Sequence, residues 1–509
     1  MTDLTALKAS LALRASLRRG ARATRSERIA VVRSGAFWNR VGTRFLPFAD
    51  AASVELPLGQ LLRLSLFQVS VGMAAVLLTG TLNRVMIVEL GMASWAVGVM
   101  VSLPLVFAPL RALIGYRSDR HQSRLGWRRV PYLWFGTLLQ FGGFALLPFA
   151  LLVMTGLGHG PAIVGQIGAG IAFLMVGAGM HTTQTAGLAL ATDLAPPDSR
   201  PRVVALLYVM LLIGMMVSAI VIGRLLFDFT PTHLVQIVQG AAVLTVMLNV
   251  TALWKQEPRR RGGIVADVRR ERFRDMWAIF IARPQTMRLL VATGLGSAAF
   301  SMQDVLLEPY GGQILGLSVG ATTSLTALWA IGMLSGFALA GRALGKGAEP
   351  HRLAGFGGVA GIAAFLGVIF AAPLHAAALL AVGAALIGFG GGLFSVGTLT
   401  AAMAISDARD LGGRTGLALG AWGAVQATCA GMAIAIGAIL RDATSAAAVA
   451  QALGPTLADP ATGYGVVYAL EIALLLATLI VLGPLVRPAT DPNRIGFNQT
   501  RFGLAEFPA

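Results

Sequence analysis

Charge is scarce in this chain. Of its 509 residues, 12% are Asp, Glu, Lys or Arg, 56% are apolar, and the mean hydropathy is +0.73. Soluble domains carry roughly 25% charged residues. Half that share over such a length leaves too little polar surface to cover a globule in water, and a lipid-facing surface removes the difficulty. Cysteine is nearly absent: the single Cys429 excludes an intramolecular disulfide and any cysteine-cluster metal site. It lies in a Gly/Ala-rich apolar stretch and reads as a small buried filler. The period-two alternation of barrel strands is missing, whereas apolar runs of about 20 residues recur, which is the length of a spanning helix. Lipid demands that each segment satisfy its own backbone, and helices do so. The chain holds no Walker loop, no dinucleotide fingerprint after a strand, and no nucleophile–base–acid set. The glycine-rich segments lie in apolar runs, where they cannot cradle phosphate.

These runs predict an all-α polytopic membrane protein of 12 transmembrane helices, near 63–88, 94–116, 131–154, 162–190, 203–225, 232–254, 286–307, 319–341, 352–373, 376–402, 414–440 and 462–486. Net charge is +17 and the pI near 11.3. In a soluble protein that would suggest nucleic acid; here the positive-inside rule explains it and no nucleic-acid partner is expected. Arg117, Arg120, Arg124, Arg128 and Arg129 fall in the second connection. Lys255, Arg259, Arg260, Arg261, Arg269, Arg270, Arg272 and Arg274 fall in the sixth, and Arg342, Lys346 and Arg352 in or beside the eighth. The alternate connections are short and nearly free of Lys and Arg. Both termini and the even connections are therefore expected to be cytoplasmic.

Five stretches follow: a basic N-terminal extension (1–60), a six-helix half (61–254), a basic linker (255–285), a second six-helix half (286–487) and a C-terminal tail (488–509). The first 50 residues are Arg-rich with no apolar h-region, so they are not read as a secretory signal. Leu4, Leu7 and Leu11 are spaced for an amphipathic helix on an anionic leaflet. A disordered basic tail explains the same residues equally well, and a transit peptide shares the composition. The six-plus-six division is that of two parallel halves related by an axis along the membrane normal. The first span ends Asn83-Arg84-Val85-Met86-Ile87-Val88-Glu89-Leu90-Gly91 and the seventh Gln303-Asp304-Val305-Leu306-Leu307-Glu308-Pro309-Tyr310-Gly311, a weak internal echo. Pro309 with Gly311 and Gly312 is expected to end the seventh span and shape a loop. Gly388 and Gly392, and Gly412, Gly416 and Gly420, have GxxxG spacing. Tight helix packing is the first reading; a groove for a partner helix or flat ligand is the other.

The second connection, Gly115-Tyr116-Arg117-Ser118-Asp119-Arg120 through Gly126-Trp127-Arg128-Arg129, resembles the loop signature of the major facilitator superfamily, with four extra residues between Arg120 and Gly126. By that analogy Asp119 would meet the positive end of the span starting near Gly412–Thr415, and Arg120, Arg128 and Arg129 would hold the cytoplasmic face closed. Longer blocks narrow the resemblance. They are Leu64-Ser65-Leu66-Phe67-Gln68 with Gly80-Thr81-Leu82-Asn83-Arg84; Gly187-Leu188-Ala189-Leu190-Ala191-Thr192-Asp193-Leu194-Ala195-Pro196; and Phe300-Ser301-Met302-Gln303-Asp304 through Gly312. From about residue 60 to 487 the chain resembles the PucC/LhaA-type light-harvesting complex assembly family, the bacteriochlorophyll-delivery branch of that superfamily. The resemblance implies a non-enzymatic chaperone of the intracytoplasmic membrane of purple bacteria. Such a protein would bring bacteriochlorophyll, as cargo, to antenna α/β polypeptides or the core photosynthetic complex. It would act beside bacteriochlorophyll synthase and the translocation machinery, with membrane lipids around it.

Charges within spans are costly in lipid and usually face the bundle interior. Arg84, Asp304 and Glu308 are expected there, with Arg84 and Asp304 able to pair if the first and seventh spans line one cavity. A structural lock, a ligand contact and proton coupling all use such residues, so a proton-coupled small-molecule transporter is the alternative function. His181 lies well inside a span with Gln184 and Thr185 on its side. With Asn83 and Arg84, His181 and Gln184 are the candidates to contact a pigment, against a plain hydrogen-bonded strip between helices. Gln140, Trp134 and Phe135 invite the same thought with less support.

Overall fold

The computed structural model describes residues 51–53, 56–106, 127–156, 160–196, 199–257, 284–406 and 415–486. Residues 1–50 of the basic extension, Asp119, Arg120, Gly412 and most of the sixth connection lie outside them. Among the described residues the regular structure is helical throughout. The helices are α1 (Leu58–Glu89), α2 (Ser94–Val106), α3 (Val130–Met154), α4 (Ala162–Leu194), α5 (Arg200–Leu225), α6 (Pro231–Leu253), α7 (Pro284–Gln313), α8 (Val319–Gly345), α9 (Pro350–Ala371), α10 (Ala377–Ser406), α11 (Thr415–Val449) and α12 (Ala461–Leu482). Eleven of these are long and apolar enough to cross a membrane, and α2 is a shorter apolar helix. The protein is a multi-pass membrane protein. Large apolar side chains stand exposed along its flanks, Phe149, Phe227, Phe356 and Ile480 among them. A soluble surface would not tolerate that many; hydrocarbon does.

Local chemistry sets the boundaries. Thr230 caps α6 by accepting from the His233 N–H at 3.1 Å, and Pro231 follows at the first helical position. Ser318 caps α8 through the Ala321 N–H at 3.2 Å, and Glu349 caps α9 through the Arg352 N–H at 2.8 Å, again with a proline next.

Helix pairing shows the internal repeat. α2 packs along α11 and α5 along α8; exchanging the halves, a shift of six helices, turns one pair into the other. The same shift carries α3·α4 into α9·α10, α3·α6 into α9·α12, and α1·α5 into α7·α11. Small residues let these helices meet. A Cβ on Gly388 would lie 2.0 Å from the Trp329 carbonyl oxygen, and one on Gly332 1.9 Å from that of Ala385. Gly388 and Gly392 are thus occupied in packing α10 against α8. Cys429 faces the bare backbone of Gly294 on α7.

The two equivalent central helices, α1 and α7, are both irregular. α1 widens into π turns at Val76–Thr81 and Val85–Glu89, while α7 tightens into a 3-10 turn at Met302–Val305 and restarts as α-helix at Leu307–Gln313. The expected loop at Glu308–Gly312 is therefore helical and buried. Pro309 is tolerated because it sits in the first turn of the restarted segment, where its missing N–H has no intrahelical partner to lose.

Candidate functional site: the cavity between the halves

The break in α7 places a cavity of about 260 Å³ between the halves. Its N-terminal wall is mostly apolar: Leu78 and Thr79 from α1, Pro104 from α2, Phe173, Met180 and His181 from α4, and Met215 from α5. The C-terminal wall carries Gln303, Asp304 and Glu308 from α7 and Thr326 and Trp329 from α8. Despite the change of helix type between them, Asp304 and Glu308 both reach this one cavity. The Asp304 carboxylate accepts from the Gln303 side-chain amide at 2.6 Å. Glu308 is 3% exposed; one carboxyl oxygen accepts from the Thr326 hydroxyl, and the other has no hydrogen-bond partner. Gly80 on α1 leaves the room for this carboxyl, since a Cβ there would come within 2.6 Å of it.

Arg84 does not pair with Asp304. Its guanidinium, 4% exposed, donates to Glu89 of its own helix and to the Leu317 carbonyl at 3.0 Å, and lies against Gly312. The widened turn at Val85–Glu89 brings Glu89 within reach of Arg84, and Arg84 is thus spent in fastening α1 to the end of α7. Asn83 supports the same seam by donating to the Asp304 backbone carbonyl at 3.4 Å, and Thr81 meets Thr323 at 3.3 Å.

At this end of the bundle, where α1 and α7 finish, a second seam joins α2, α7, α11 and α12. Arg441 donates to Asp442 at 2.8 Å, Ser94 at 3.2 Å, the Tyr464 hydroxyl at 3.0 Å and Gln313, and its guanidinium lies 4.4 Å from the centre of the Tyr464 ring. Asp442 accepts from the Trp95 backbone N–H at 2.8 Å, so the start of α2 is held to the end of α11. Below it Tyr310 makes T-shaped contacts with the rings of both Tyr464 and Tyr468, and its hydroxyl donates to the Val368 carbonyl at 3.0 Å. Glu471 on α12 is wholly buried, close enough to the Asp304 carboxyl and the Gln303 backbone to feel both, yet neither of its oxygens has a hydrogen bond of good geometry. Sequence reasoning missed Arg441, Glu471, Tyr464 and Tyr468; single polar residues in apolar runs were the available signal.

Arg128 and Arg129 sit at the opposite end. They share Asp193 at 2.9 and 3.0 Å, while Glu257 accepts from the backbone N–H groups of Arg128, Arg129 and Val130 at 2.7 to 3.2 Å. That carboxylate caps the positive end of α3. These partners belong to the N-terminal half, Asp193, and to the start of the linker, Glu257.

His181 lines the cavity; Gln184 is buried on the same helix but is not in the lining. Gln140 donates to Thr183 at 3.0 Å, and Ser70, Asn249 and Thr137 form a chain of hydrogen bonds at 2.8 and 2.9 Å across α1, α6 and α3. Trp134 and Phe135 face outward. Among the described residues no three His, Cys, Asp or Glu side chains converge to hold a metal ion. The cavity is also small. Sites for drug-sized ligands run from about 300 to 1,000 Å³, and a tetrapyrrole with an isoprenoid tail is larger than such ligands.

Two six-helix halves about a central cavity define the fold of the major facilitator transporters. The nucleoside transporter NupG, as a variant, superposes with a TM-score of 0.62 at 14% identity over 84% of this chain and 100% of its own. A bacterial homologue of the human lysosomal transporter Spinster, inward-facing and occupied, gives 0.60 at 14% over 83% and 95%. Residues 81–490 match the PUCC protein family, and the chain belongs to it. It is 56% identical to Protein PucC of Rhodovulum sulfidophilum over 79% of this chain and 89% of that one. It is 55% identical to an uncharacterized protein of the puhA-bchM intergenic region of Rhodobacter capsulatus over 91% and 97%. A more distant relative, 29% identical over 83% and 95%, is the bacteriochlorophyll synthase 44.5 kDa chain of the same species.

Proposed function

We propose that the protein is an assembly factor for light-harvesting antenna complexes, handling bacteriochlorophyll as cargo and passing it to antenna α/β polypeptides. Membership of the PUCC protein family across residues 81–490 carries this reading. On this reading the pigment is handled outside the small central cavity, against the lipid-facing surface, where Trp134, Phe135 and Phe141 stand exposed on α3. The end of the bundle bearing Arg128 and Arg129 faces the cytoplasm of the inner membrane, and bacteriochlorophyll synthase and the translocation machinery are the neighbours. The test is an absorption spectrum and a mass-spectrometric inventory of the protein purified in mild detergent from its native membrane, together with antenna levels in a deletion strain. Bound pigment with antenna polypeptides, and a loss of antenna on deletion, are expected. A colourless, partner-free protein with normal antenna in the deletion strain overturns the reading.

The carboxyl groups in the cavity favour a second reading, proton-coupled transport of a small molecule. Asp304 and Glu308 lie between the two halves, where a change of packing would expose them to either side. Substrate-dependent proton flux in liposomes, abolished by Asp304→Asn, would establish it; flux indifferent to Asp304→Asn would refute the role of that residue.

A further inference from the structure

We propose that the central cavity is a binding site for a small organic cation, an ammonium group on an apolar body. The first observation is Glu308. One of its oxygens is satisfied by Thr326, the other is buried in the cavity wall with no hydrogen-bond partner, and a buried acceptor needs a donor. The second is the neighbourhood of that oxygen. Asp304 lies on the same wall and Trp329 one helical turn beyond Thr326, so two carboxyl groups and an indole line the one cavity. An ammonium satisfies the carboxylates and is attracted by the face of an aromatic ring. The third is the far wall, where Leu78, Phe173, Met180 and Met215 offer an apolar bed with thioethers that adapt to irregular shapes.

The protein's own cation lies outside the cavity lining. Arg84 acts on Glu308 from α1, but its guanidinium is committed to Glu89 and to the Leu317 carbonyl and does not line the cavity. With no three ligating side chains converging among the described residues, the donor set suits an organic head rather than a bare metal ion. The volume, about 260 Å³, takes a molecule below drug size. The site is independent of pigment handling: failure of the titration below leaves the pigment reading standing, and a colourless preparation leaves the cation site standing.

The test is a calorimetric titration of the full-length chain in mild detergent, with phenethylammonium as probe and phenethyl alcohol as its uncharged counterpart. Saturable one-site binding of the ammonium is expected, with the alcohol much weaker. Glu308→Gln should weaken the ammonium by about tenfold or more, since it removes one partner of a buried charge contact. Met180→Trp, which fills the apolar wall and leaves both carboxyl groups, should abolish binding, and it carries the test of location should Glu308→Gln fail to purify as a monodisperse protein. Absence of saturable binding to the wild-type chain, equal binding of alcohol and ammonium, or unchanged binding in either monodisperse variant overturns the proposal.

Discussion

The packing of α8 against α10 makes a sharp prediction at Gly388. A methyl group there would lie 2.0 Å from the Trp329 carbonyl oxygen, 2.8 Å from its carbon and 3.0 Å from the Met333 nitrogen. All three atoms are backbone, so no side chain can turn aside. Real contacts of this kind begin near 3.0 Å, and the helices must part by about 1 Å in Gly388→Ala. The facing Gly332 has the reciprocal contact at 1.9 Å, and Gly336 and Gly392 extend the seam, so parting loosens the whole interface. Without a hydrophobic driving force between helices in lipid, close backbone packing is what holds them. Overpacking of this order costs about 1–3 kcal/mol. The assay is a thermal unfolding midpoint in one detergent, with Gly367→Ala as control. A Cβ at Gly367 meets nothing within 4 Å, so the control should melt like wild type while Gly388→Ala falls by several degrees. Equal midpoints would refute the packing and leave α10 with an open groove.

Two further outcomes concern the helix ends. Glu257→Ala strips the start of α3 of a carboxylate that accepts from three backbone N–H groups. It should cost about 1–2 kcal/mol locally, read as faster amide exchange at 128–133 with no change deeper in α3. Burial works against the charge of Glu349, but hydrogen bonds from His351 and from the Arg352 and His351 backbone outweigh it and hold the carboxyl below its usual range. A carboxyl depressed on folding adds stability above its unfolded value near 4.5, and that contribution fades as the pH falls through the lower folded value. Amide exchange in the first turn of α9 should therefore rise on acidification below about pH 4.5, and Glu349→Gln should flatten that response.

The spans were legible because lipid imposes one rule along the whole chain. Runs read at 131–154 and 232–254 fold as Val130–Met154 and Pro231–Leu253, with prolines and a capping threonine marking the edges. Where the reading slipped, tertiary packing had overruled a local signal. The Glu-Pro-Tyr-Gly-Gly segment has the residues of a turn, yet Tyr310 docks among Tyr464 and Tyr468, and its small glycines admit Arg84 and α10. α11 runs to Val449 where the apolar run had suggested 440, because Arg441 and Asp442 sit on a helix that still has α2 and Tyr464 beside it. Arg84 and Asp304 stood as a natural pair in the sequence, but a one-dimensional string does not show that a π turn carries Glu89 to Arg84 first.

Glu471 marks the limit of such reading. In the sequence it is one acid in an apolar helix, indistinguishable from a residue near a water-filled path. Its meaning comes from helices far away in the chain: the 3-10 turn of α7 lays the Gln303 backbone and Asp304 beside it, while the tyrosines close the space towards Arg441. Three acids, Asp304, Glu308 and Glu471, are thereby gathered around one irregular turn, and the nearby arginines, Arg84 and Arg441, are engaged in seams between helices. An excess of buried acid at the junction of two halves costs stability wherever it is ionised. It persists beside a group of buried polar side chains, Ser70, Asn249 and Thr137, that are linked in a hydrogen-bonded chain. Sites that break a local rule are where function is expected, and the break in α7 is the place the cation proposal puts to the test.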